Sequence, residues 1–193
     1  MLFRSLKQAI AEGQYRHPLG LFFGGHELQP GPASYLEWLE RALQQTHYLF
    51  ALDLHTGLGA RGGTLLFREP GFAATPADEL RAALGRAVID GAGTSSRPYR
   101  VRGGMGSALH RSLPHTKMDF VLQELGTYGP LTILAALRDE NRWHHYGTGG
   151  IGHSSKQALL EALCPRSAAW RRTALDIGLG TLRAALSWTF RPG

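Results

Sequence analysis

The run Tyr48-Leu-Phe-Ala-Leu-Asp-Leu54 constrains the fold more than any other segment. Seven residues with a single charge, rich in aromatic and aliphatic side chains, read as a strand buried inside a sheet. The run ends in His55-Thr-Gly-Leu-Gly59, and a turn-rich loop continues to Gly63. A second run, Met118 to Leu125, has the same character and also ends at a glycine loop, Gly126-Thr-Tyr-Gly129. Buried strands that lead into glycine loops are expected where helices cover both faces of a sheet and the functional loops lie beyond the strand ends.

The remaining segments fit such layers. Leu2, Phe3, Leu6 and Ile10 recur at helical intervals before Gly13, and Leu19 to Phe23 is a short apolar run closed by Gly24-Gly25. Helices are predicted over Ala33 to Gln45, with Pro30 and Pro32 ahead of it, and over Pro76 to Val88, capped by Thr75. Further helices are predicted from Pro130 to about Asn141 or Trp143, from Ser155 to Leu163, and from Ser167 to Trp188. Thr64 to Phe67 reads as another strand, and Asp90 to Gly106 as an excursion rich in Gly and Arg. The fold class is α/β, a layered mixed sheet with flanking helices, and 193 residues fit one domain.

Charge and cysteine usage narrow the setting. The net charge of +6 comes mainly from arginines, but they are scattered, which argues against a nucleic-acid-binding stripe. One cysteine, Cys164, permits no internal disulfide, so a cytoplasmic protein is expected. The apolar stretch from Thr173 to Phe190 is broken by Asp176 and Arg183, which argues against a membrane span.

Asp53 and His55, two apart on a strand, share one face. An imidazole there could reach a metal or substrate, or could simply cap the strand. Glu124 stands near the end of the other buried strand, where a carboxylate suits a general base. Gly147-Thr-Gly-Gly-Ile-Gly152 matches a phosphate-loop pattern but has no strand before it, and Gly104-Met-Gly106-Ser107 lacks the setting of a nucleophilic serine. His26-Glu27 and His144-His145 do not have the spacing of metal pairs. Arg100 and Arg102 are candidates to meet an acidic substrate, against the simpler reading of a solvated loop.

Taken in order, Gly13-Gln-Tyr-Arg-His-Pro-Leu-Gly-Leu-Phe-Phe-Gly-Gly25, Asp53-Leu-His-Thr-Gly-Leu-Gly59, Glu124-Leu-Gly-Thr127, Leu134-Ala-Ala-Leu-Arg-Asp-Glu-Asn141, Cys164-Pro and Trp170 resemble the zinc carboxypeptidase clan. The resemblance is to a branch related to succinylglutamate desuccinylase and aspartoacylase, and it covers nearly the whole chain. It implies a carboxypeptidase-like (phosphorylase/hydrolase-like) sheet and zinc-dependent hydrolysis of an amide or peptide bond. His55 would be the third zinc ligand, Glu124 the base that activates water, and Asp53 an orienting neighbour.

The chain also departs from that pattern. The upstream His-x-x-Glu that gives the family two zinc ligands, and its Asn-Arg segment, do not occur before His55. Residues 1–193 are therefore expected to correspond to the C-terminal portion of such a domain, as a fragment or as a remnant completed by another chain. Zinc would be weak or absent in this chain alone. The expected partners are a small amide or peptide substrate in the complete enzyme, and a homo-oligomer or complementing chain. A non-catalytic remnant or interaction protein of the same fold is the alternative. The missing front would leave an exposed sheet edge and apolar surface.

Overall fold

The computed structural model describes residues 13–69, 71–90 and 103–190. The first predicted helix, most of the Asp90 to Gly106 excursion, and Arg100 and Arg102 lie outside the described residues. Helix α1 (Pro30–Ala42) precedes strand β1 (Tyr48–Gly57) and strand β2 (Thr64–Arg68). Helix α2 (Ala77–Leu84) joins β2 to strand β3 (Val88–Asp90), and helix α3 (Met105–Ser112) leads to strand β4 (Lys117–Gly126). Helices α4 (Pro130–Tyr146), α5 (Ser154–Leu163) and α6 (Ala168–Thr189) complete the described chain.

The sheet order is β1-β4-β2-β3, with β1 parallel to β4, β4 antiparallel to β2, and β2 parallel to β3. The expected α/β layered mixed sheet with flanking helices is therefore present. Alternation along the strands separates two cores. On one face Phe50, Leu52, Leu66, Val88 and Val121 pack with Leu80 and Leu84 of α2 and with Ala184, Ala185 and Trp188 of α6. On the other, Leu49, Ala51, Met118, Phe120 and Leu122 pack with Leu36 and Leu39 of α1 and Met105 and Leu109 of α3. Each fully buried aliphatic side chain contributes roughly 1.5–3 kcal/mol of transfer free energy.

Strand β4 is central and covered on both sides, and its apolar residues face both cores. Four polar side chains interrupt it, and two of them, Asp119 and Gln123, are wholly buried on the α2/α6 face. Asp119 accepts hydrogen bonds from the Tyr48 hydroxyl at 2.8 Å, the Thr75 amide at 3.0 Å and the Thr75 hydroxyl. The Arg68 guanidinium donates to the Thr75 carbonyl and pairs with Asp90, which extends the network to β2 and β3. Gln123 donates to Thr64 and to Thr181 of α6, at 3.1 and 3.0 Å.

This network explains where the structure differs from the sequence reading. Thr75 does not cap a helix with its hydroxyl, because Asp119 holds that group. Pro76 occupies the cap without a side-chain hydrogen bond. The helix then stops at Gly85, in the left-handed conformation (φ 62°), and Val88 begins β3 instead of ending the helix. Helix α1 starts at Pro30, since proline fits the first helical turn, so the prolines lie inside the helix instead of ahead of it. Gly106 packs α3 against β4: a Cβ there would come within 2.7 Å of the Phe120 ring.

Burial, and then the Asp119 carboxyl that accepts its proton, hold the Tyr48 hydroxyl well above its ordinary value of 10.0. A group raised on folding stabilises fully below its unfolded pKa and loses that contribution as pH rises towards the folded one. Urea unfolding should therefore show Tyr48→Phe destabilised by roughly 1.5–3 kcal/mol at neutral pH, with the gap from wild type narrowing above pH 10. Asp119→Ala, which strands three donors, should cost roughly 3 kcal/mol or more.

Candidate functional site

Strands β1 and β4 run parallel and in register from Tyr48 beside Lys117 to Gly57 beside Gly126, which sets His55 directly beside Glu124. Register partners in a parallel ladder project to the same face, so His55 and Glu124 share one side of the sheet near the carboxyl ends of both strands. Asp53 shares that face, and its Oδ2 lies 2.9 Å from His55 Nε2. A proton on Nε2 would be donated to Asp53 and leave the lone pair on Nδ1, so the carboxylate can set both tautomer and ring orientation. His55 is exposed, while Asp53 and Glu124 are half-buried.

Backbone from a different segment closes over the strand ends. The Gly62 amide donates to the Gly126 carbonyl, and the Gly126 amide donates to the Gly63 carbonyl, both at 3.0 Å. The Thr64 hydroxyl donates to the Glu124 carbonyl at 2.9 Å, and the Leu58 amide reaches the Glu124 carboxyl at 3.4 Å. From behind, the Trp170 indole donates to the Gly126 carbonyl at 2.8 Å. Gly126 has to be glycine, because a Cβ would lie 2.0 Å from the Ala60 carbonyl oxygen. The following loop is tied down as well: Tyr128 donates to Glu161, whose carboxyl is held below its ordinary 4.5 chiefly by that bond and by the Arg166 amide.

A cleft of about 530 Å³ opens on the Asp53 and His55 face. Its walls are largely apolar, from Tyr35, Ala51, Met105, Leu109, Phe120 and Leu122, with Glu69 as a third polar group beside Asp53 and His55. Tyr35 and Glu69 escaped the sequence reading. Glu69 follows directly on β2, and a charged residue just past a strand end was the one signal for it. Tyr35 reads as an ordinary apolar position of α1.

The glycine motif behaves as the sequence suggested, whereas helix α4 runs on to Tyr146, past the expected end at Asn141 or Trp143, and takes in His144 and His145. Gly147-Thr-Gly-Gly-Ile-Gly152 follows helix α4 instead of a strand. His144 and His145 lie on α4 with their rings edge to face, and Cys164 is exposed between α5 and α6.

The sequence model of a family described as "Protein of unknown function (DUF2817)" matches residues 3–176. The chain belongs to this family. No curated protein and no solved structure matches it. The DUF2817 match spans β1, β4 and both glycine loops, and thus every residue of the Asp53, His55 and Glu124 group.

A hydrolytic zinc requires three protein ligands and an open position. Among the described residues no group of three or more His, Cys, Asp or Glu side chains could hold a metal ion. The residues described here therefore do not fit a complete zinc site. Among them, too, no helix is long and apolar enough to cross a membrane.

Because Gly126 is enclosed by backbone, Gly126→Ala should lower stability by roughly 2 kcal/mol or more. It should also speed protease cleavage within residues 57–63, while unchanged cleavage would show that the loop does not depend on this approach.

Proposed function

We propose that this chain carries the general-base side of a site that hydrolyses amide or peptide bonds. The supporting observation is the in-register placement of His55 beside Glu124, with Asp53 on the imidazole and with Asp53 and His55 lining a largely apolar cleft. In this reading the Glu124 carboxylate takes a proton from the attacking water and passes it to the leaving nitrogen. The Leu58 amide steadies that carboxyl, and Asp53 holds the His55 ring towards the reacting group. The cleft receives the apolar part of a small amide or peptide substrate. Arg100 and Arg102 would meet an acidic group on it.

The resemblance to zinc carboxypeptidases supports the same assignment, with His55 as one imidazole ligand. The zinc it implies would need ligands from outside the described residues, supplied by a complementing chain or a further segment. The same shortfall of ligands favours a second reading, a non-catalytic interaction protein on the hydrolase scaffold.

The test is hydrolysis of a panel of N-acyl amino acids and short peptides by the protein purified from the cells that make it, with metal content measured in parallel. Turnover is expected, and Glu124→Gln should lower kcat by roughly a thousandfold with a smaller change in KM. Turnover that survives Glu124→Gln would overturn the assignment. A metal-free protein inactive on the whole panel would favour the second reading.

A further inference from the structure

Helix α6 is apolar on two sides. Its inner side is fixed to the sheet at three levels, by Trp170 on the Gly126 carbonyl, by Thr181 on Gln123, and by Trp188 against the rings of Tyr48 and Phe50. The opposite side carries Leu175, Leu179, Leu182 and Leu186, which are 61%, 38%, 43% and 48% exposed. Their spacing of four, three and four residues is that of a coiled-coil seam. A helix apolar on both sides is normally covered on both, and four aligned leucines form a patch of the kind that marks an interaction site.

The seam is complementary to itself. A twofold axis crossing α6 between Gly180 and Thr181 sets Leu175 opposite the partner's Leu186 and Leu179 opposite the partner's Leu182. Each pair occurs twice, so eight leucines form the contact. The same arrangement brings Asp176 to the side of the seam where the partner's Arg183 lies, again twice. Asp176 and Arg183 are both exposed, and neither takes part in an ion pair among the described residues. Gly178 flanks the leucines, and a Cβ there would meet nothing within 4 Å, which leaves room for a second helix to approach closely.

From these features we infer that α6 is the homodimer interface of this protein, an antiparallel leucine seam closed by two Asp176–Arg183 pairs. The occupant is a second copy because twofold symmetry satisfies both the leucines and the charges with this sequence alone. The contact is small, on the order of 1,000 Å² in total, so the dimer is reversible. It involves none of Asp53, His55 or Glu124, and it stands whether or not the hydrolase reading does.

Sedimentation velocity of the full chain from about 1 to 200 µM tests it. A concentration-dependent dimer is expected, lost in the Leu179→Glu, Leu182→Glu double variant, whose far-UV circular dichroism should match wild type because both positions are exposed. Asp176→Arg and Arg183→Asp should each weaken the dimer roughly tenfold, and combining them in one chain should restore it. A monomer across the whole range would overturn the proposal and point to a different polypeptide on the seam. A dimer that ignores the leucine changes, or a charge-swapped double variant that fails to recover, would also overturn it.

Discussion

The parallel ladder between β1 and β4 joins ten residues to ten, and everything placed near the cleft depends on its register. Side chains alternate along a strand, so a slip of one residue would send Glu124 to the face that carries Asp119 and leave His55 behind. The buried Asp119 resists such a slip. Its hydrogen bonds to Tyr48 and Thr75 are made only when β1, β4 and the segment after β2 are all in place. A buried carboxyl deprived of these donors is costly, so the network selects the register as well as stabilising it.

The two faces then divide the work. The α2/α6 face holds the buried polar network and Gln123, which pins α6 through Thr181. The α1/α3 face holds the cleft, where Asp53 and His55 meet Tyr35 and Glu69. Glycines make the junction at the strand ends, because two backbone segments approach there more closely than any side chain allows. Paired strands beneath and a backbone clamp above can hold a carboxylate and an imidazole in fixed relation.

Much of this was legible in the sequence. Strands β1 and β4 announced themselves as apolar runs, but only β4 is central and covered on both sides; β1, which the run suggested would be buried inside the sheet, lies at the edge of the described sheet with none of its residues fully buried. His55 and Glu124 followed, since each stands near the end of such a run beside glycines. The three-residue β3 was not legible, because it is too short to show a period and sits directly after a helical pattern. Helix α3 was hidden by Gly104 and Gly106, which weaken a helical signature, although Gly106 serves its packing on Phe120. Thr75 looked like a helix cap because a threonine before Pro-Ala-Asp-Glu normally is one. Only the distant Asp119, 44 residues on, redirects its hydroxyl. Glu69 and Tyr35 join the cleft through tertiary packing, which local pattern does not encode.

The central claim is that His55 and Glu124 act as one unit because the sheet holds them side by side. A double-mutant cycle on kcat/KM for amide hydrolysis, with His55→Ala, Glu124→Gln and their combination in the protein purified from its own cells, tests this most directly. The account predicts strong non-additivity, the double variant being hardly slower than the worse single one. Effects that simply add, to within about 0.5 kcal/mol, would contradict it.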